Sequence, residues 1–133
     1  MNPLYPLVAQ RARHRCEYCG APEAIFNSAF EVEHITPTSQ DGLDDPSNCA
    51  LARRSCNSCK SDRTQGIDLN TGKLVRLFNP RRDRWSKHFR VDPTSGAILG
   101  STSIARATIA TLQMNRPLQL AARQQWMLLG LFP

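Results

Sequence analysis

The sequence predicts an α+β domain. It is a small strand–strand–helix core on a scaffold of cysteine knuckles, extended at its C-terminal side by strands and two helices. Three observations predict it. Two C-x-x-C pairs, Cys16–Cys19 and Cys56–Cys59, bracket the N-terminal half. A β-like run, Phe30 to Ile35, carries Glu33-His34 and leads into a loop rich in Pro, Ser, Asp and Gly. Apolar residues recur at helical spacing toward the C-terminus. A chain of 133 residues fits one domain. Its boundaries read as a core over about 14–66 and an extension over about 73–133.

The elements follow in order. Leu4, Leu7, Val8 and Ala12 set a short helix after Pro3. Cys16 to Gly20 is a tight knuckle, with a glycine suited to its turn. Phe30 to Ile35 alternates as a strand, and Thr36 to Ser47 is a loop. Asp45-Pro46-Ser47-Asn48 turns into Cys49–Ala52, a second short strand or a helical turn. Asn57 to Thr64 reads as a short polar helix. In the second half, which reads as a separate layer, Leu74–Phe78 and Trp85–Val91 are predicted strands. A turn over Asp92–Gly96 joins the latter to Ala97–Leu99. Ser101-Thr102-Ser103 caps a helix through Met114. Pro117 opens a last helix, whose stripe of Leu118, Ala122, Trp126 and Leu129 is expected to face the core.

Composition bounds the function. The chain is 41% hydrophobic, with no apolar run near the roughly 20 residues of a membrane span. The N-terminus lacks the basic-then-apolar pattern of a secretory signal. Five cysteines, four of them in C-x-x-C pairs, then point to metal rather than disulfides, and to a reducing, cytoplasmic setting. Net charge is +6. Seven basic residues lie between Lys73 and Arg90 against one acid, Asp83, and Arg53, Arg54, Lys60 and Arg63 flank the second cysteine pair. A basic stripe beside a metal site suits nucleic acid, and equally suits a solvated face.

Glu33, His34 and Asn57 supply what phosphodiester hydrolysis requires. His34 is a competent general base near neutral pH. Glu33 and Asn57 offer oxygen ligands to one Mg²⁺- or Mn²⁺-type ion, which keeps several waters and so needs few protein ligands. Neighbours on a strand point to opposite faces, so Glu33 and His34 meet at one site only where the strand bends or ends.

Together these residues resemble the HNH endonucleases, whose core is a ββα-metal fold. The resemblance implies that His34 activates water, that Glu33 and Asn57 hold the divalent ion, and that Asn48 braces the catalytic loop and orients the histidine. Lys60 matches the basic residue that often follows. The implied activity is metal-dependent cleavage of double-stranded DNA, with Arg53, Arg54, Lys60, Arg63, Arg81, Arg82, Arg84 and Lys87 on the phosphates. Many relatives carry two knuckles on a structural Zn²⁺, and Cys16, Cys19 and Cys56 match three of those cysteines. The fourth position is Arg53 here, and Cys59 follows Cys56 instead. The zinc site is therefore shifted onto Cys59, three-cysteine or empty, with Cys49 as a second substitute. The shifted set Cys16, Cys19, Cys56 and Cys59 is the favoured expectation. An alternative function is a catalytically inactive, zinc-ribbon-like module that binds nucleic acid or another partner.

Overall fold

The computed structural model describes residues 1–133. Helix α1 (Tyr5–Arg11) carries proline in its first turn and buries Val8 and Ala9. The chain then turns through Arg13 and His14, both at positive φ (54° and 55°), into the knuckle. Gly20 N donates to Cys16 O at 2.9 Å and Cys16 N to Ala21 O at 2.9 Å. Gly20 closes this turn at φ 78°, a conformation that disfavours any side chain.

Strand β1 (Glu31–His34) pairs antiparallel with β2 (Cys49–Ala52), placing Glu33 opposite Ala50 and His34 opposite Cys49. All four β2 residues are buried, which settles the segment as a strand. Helix α2 (Arg54–Lys60) follows at once, three residues ahead of its expected start. Arg53 is still extended (φ −65°, ψ 153°), so the turn off β2 starts the helix. Ser61, at φ 51°, stops it short of Thr64.

The second half departs further from expectation. A strand that the sequence does not announce, β3 (Gln65–Ile67), pairs with β4 (Leu74–Arg76), which is shorter than predicted. Gly66 explains the close packing of this hairpin on the next helix: a Cβ there would lie 2.2 Å from Thr111 Oγ1. The expected strand Trp85–Val91 is a helical turn, α3 (Trp85–His88), followed by β5 (Phe89–Val91). Tertiary contacts override strand propensity here. The turn stacks Trp85 on Phe89 at 5.0 Å, and Trp85 Nε1 donates to Tyr18 O at 2.8 Å. Strand β5 pairs with β6 (Ile98–Gly100).

Helix α4 (Ser103–Leu112) is capped by Thr102, whose hydroxyl accepts from Ala105 N at 3.1 Å. Helix α5 (Pro117–Leu128) begins on proline as expected, but its predicted core stripe is wrong. Leu118 is 85% exposed and Leu129 70% exposed, while Gln119 and Arg123 are buried. Arg123 faces inward because buried backbone acceptors need a donor. Its guanidinium bonds Gly96 O (2.9 Å), Asn115 Oδ1 (3.0 Å) and Met114 O. Of the stripe, Trp126 does pack inward, on Phe26 and Phe132. One apolar cluster joins Val8, Tyr18 and Leu51 of the first half to Phe78, Ile98 and Leu112 of the second, so the halves share a core rather than forming layers. No helix is long and apolar enough to cross a membrane.

Candidate active site

The loop between β1 and β2 is held from its far end. Asn48 Oδ1 accepts from Thr36 N at 2.9 Å, and Asn48 Nδ2 donates to Thr36 O (2.9 Å) and Leu43 O (2.8 Å). One amide thus ties both ends of a loop that has no ladder of its own, satisfying backbone groups that would otherwise need water. Asn48 touches the loop backbone, so any effect on the His34 ring passes through the loop.

Strand β1 ends at His34, and there the two neighbouring side chains separate. Glu33 turns beneath α2 and is 2% exposed. Its Oε2 accepts from Lys60 Nζ at 3.0 Å, and its Oε1 accepts from the Tyr18 hydroxyl. Burial, then the Glu33 charge, push the Tyr18 phenol well above its ordinary pKa, so it stays a donor. Lys60 is 1% exposed and also donates to Ile35 O at 2.9 Å. Lys60 therefore leaves the expected set of phosphate-binding residues: the early start of α2 brings it under β1, and it is an internal cation. Asn57, on the same helix, donates through Nδ2 to Glu31 Oε1 at 2.7 Å rather than meeting Glu33.

The His34 ring turns toward the loop. Its Nε2 lies 2.9 Å from Asp44 Oδ1, with the side chains 26% and 71% exposed. Cys49, the cross-strand neighbour of His34, brings its sulfur into the same group: the three ligand atoms lie within 4.8 Å of one another. Glu33, His34 and Asn57 nonetheless line one open cleft of about 330 Å³, completed by Val32, Pro37, Thr38, Ser61 and Asp62.

Three of the four expected zinc ligands come together. The sulfurs of Cys16, Cys19 and Cys56 lie within 4.8 Å of one another, and each residue is 2% exposed. Zinc takes thiolate in such closed sites, so this donor set fits it. Burial pushes the Cys16 thiol up to about 12. Cys56 is raised well above normal, first by its hydrogen bonds with Cys16 and Cys19. Hydrogen bonds from Cys16, then from Cys56, hold the Cys19 thiol well below normal. Cys59, the fourth of the expected set, stands outside the trio. Its half-buried sulfur accepts from Arg116 Nη2 at 3.4 Å instead. Cys56 and Cys59 share a helix, and the turn between them directs Cys56 inward and Cys59 toward Arg116, which precedes α5.

The other basic residues divide. Arg54, Arg63, Arg82, Arg84 and Lys87 are exposed. Arg53 lies over the Phe26 ring at 5.0 Å, and Arg81 is paired with Glu17. Sequence reasoning overlooked Glu31, Asp44 and Tyr18. Glu31 was within reach, since it shares a strand face with Glu33 by the two-residue period. Nothing local marks Asp44 or Tyr18, which reach the site through a loop and through the knuckle.

Residues 16–63 match the family model described as HNH endonuclease. No curated protein and no solved structure matches the chain. The matched segment runs from the first knuckle cysteine past the end of α2, taking in the strand pair, the Asn48-braced loop, Asn57 and Lys60. Through that segment, about a third of its length, the chain is similar to the HNH endonuclease family.

Proposed function

We propose that the protein is an endonuclease that hydrolyses phosphodiester bonds of double-stranded DNA in the cytoplasm, dependent on a divalent ion and using His34 as general base. The supporting observation is that Glu33, His34 and Asn57 line one polar cleft where β1 ends beside α2. Carboxylate and amide oxygens of Glu31, Glu33 and Asn57 suit a hard Mg²⁺ or Mn²⁺ ion. When bound, such an ion neutralises phosphate charge and helps the leaving oxygen. Glu33 would hold it through the lone pairs left free by Tyr18 and Lys60. Asn57 would use its amide oxygen, since Nδ2 already serves Glu31. With Asp44 accepting from Nε2–H, His34 keeps Nδ1 as the nitrogen that takes a proton from water. Asn48 holds the loop that carries Asp44. Cys16, Cys19 and Cys56 would hold a structural zinc, and Arg54, Arg63, Arg82, Arg84 and Lys87 would meet the DNA backbone, with Arg53 and Arg81 behind them.

The test is plasmid cleavage in Mg²⁺ or Mn²⁺. His34→Ala should keep DNA binding and lose about 10²–10⁴ in rate. Cleavage by the variant at the wild-type rate refutes the assignment. A second reading, a nucleic-acid-binding module without catalysis, is favoured by one observation: both Glu33 oxygens are already engaged. It would be established by wild-type protein that binds DNA and cuts none with either ion.

A further inference from the structure

His34, Asp44 and Cys49 form a second cluster of ligand atoms, separate from the cysteine trio and from the Glu33–Asn57 side of the cleft. Strand register creates it. His34 and Cys49 are partners across the β1–β2 ladder, so their side chains leave the sheet on one face. Asp44 arrives from the loop, and Asn48 fixes its approach by bonding Leu43 O at 2.8 Å. The atoms present are an imidazole nitrogen, a carboxylate oxygen and a sulfur, mutually within 4.8 Å. A hard ion has no use for the sulfur, whereas zinc accepts all three donors and keeps a fourth position for water. Cys49 is fully buried beneath the site, while Asp44 and His34 open it to solvent, so an ion has an approach from one side.

We propose that this cluster is an inhibitory site for a zinc-type divalent cation, bound by His34 Nε2, Asp44 and Cys49. The proton balance states the consequence. Binding releases the Cys49 thiol proton to solvent, because the sulfur must ligate as thiolate. The ion takes the His34 Nε2 position, and the ring's single N–H proton moves from Nε2 to Nδ1 through solvent, so the bound imidazole stays neutral with its proton on Nδ1. A ring metallated on one nitrogen and protonated on the other has no lone pair left for a proton from water. The same Asp44 that leaves Nδ1 free in the zinc-free protein thus helps to block it in the loaded one. Zinc binding follows from the donor cluster alone, while the inhibitory effect rests on the proposed role of His34 as base.

Two readouts keep these parts distinct. Protein dialysed against buffered Zn²⁺ is analysed for bound metal, comparing wild type with Cys49→Ser and with the surface variant Asp44→Asn. Wild type should hold one zinc per chain more than either variant, over and above whatever the cysteine trio binds. The same Zn²⁺ series is then added to Mg²⁺-driven plasmid cleavage, each protein normalised to its own zinc-free rate. Wild type should lose cleavage as the additional zinc fills, and either variant should need at least ~10-fold more free Zn²⁺. Equal zinc in all three proteins overturns the site. An additional zinc in wild type that leaves its Mg²⁺-driven cleavage untouched overturns the inhibition. If the wild type cuts no DNA at all, the nuclease reading fails, and the zinc difference still decides the site.

Discussion

At the scale of single residues, the least expected side chain is Lys60. A primary ammonium is costly to bury, and Lys60 is tolerated because Glu33 and a backbone carbonyl meet it at 3.0 and 2.9 Å. Such a pair adds little net stability, but removing one member strands the other in a medium that solvates it poorly. Lys60→Met should therefore destabilise the protein by about 3–5 kcal/mol. Glu33→Gln in the same chain should restore part of that stability, since an amide needs no counter-charge. Chemical denaturation of the single and double variants checks this. A Lys60→Met protein as stable as wild type would mean that the ammonium keeps contact with solvent.

At the scale of elements, one ion pair ties the turn of the β3–β4 hairpin to α4. Asp68, fully buried, accepts from Arg106 Nε at 2.9 Å and Nη2 at 3.0 Å, and from Asn70 N at 3.1 Å. The Arg106 guanidinium, ahead of the backbone and Thr71 donors, holds its carboxyl well below the usual carboxylate range. A depressed folded-state pKa stabilises fully above the unfolded-chain value, about 3.9, and that stabilisation is lost as pH falls below it. Asp68→Asn should thus lower Tm at neutral pH and flatten the fall in Tm below about pH 4. An acid limb as steep as that of wild type would show that other carboxylates govern it.

At the scale of the whole molecule, the cysteine trio joins the knuckle to α2 and so fixes the helix carrying Asn57 against the strand carrying His34. Structural zinc contributes folding free energy directly. Cys19→Ser should release zinc and lower Tm, whereas Cys59→Ser should keep it, and elemental analysis with a melting curve separates the two. Full zinc in Cys19→Ser would place the ion elsewhere. The exposed arginines and lysine supply the other global property. Neutralising Arg82, Arg84 and Lys87 together should weaken binding alike on unrelated DNA sequences. The slope of log affinity against log salt should shrink by about 0.9 for each phosphate that the variant no longer neutralises. An unchanged slope would mark these three as a solubilising face.

What the sequence determined by itself was local order, together with the candidates for the chemistry. Glu33, His34, Asn48 and Asn57 stand out because their types and spacing carry meaning before any folding. Helix α1, the knuckle, β1, the Thr102 cap and the proline start of α5 are legible because a few adjacent residues specify them. Only the tertiary structure decided where polar side chains found partners. Lys60 reads as a surface cation until α2 tucks it under β1, and Cys59 reads as a zinc ligand until the helix turns it toward Arg116. In α5, Leu118 and Leu129 of the expected stripe gave up the core to Gln119 and Arg123, because buried carbonyls demand donors that leucine lacks. Trp85 left its predicted strand for a turn in which its indole N–H reaches Tyr18 O, an acceptor that no local window contains. The physical reason is common to Lys60, α5 and Trp85: local pattern sets what a segment prefers, but burial makes every unpaired polar group expensive, and its partner lies outside the local window.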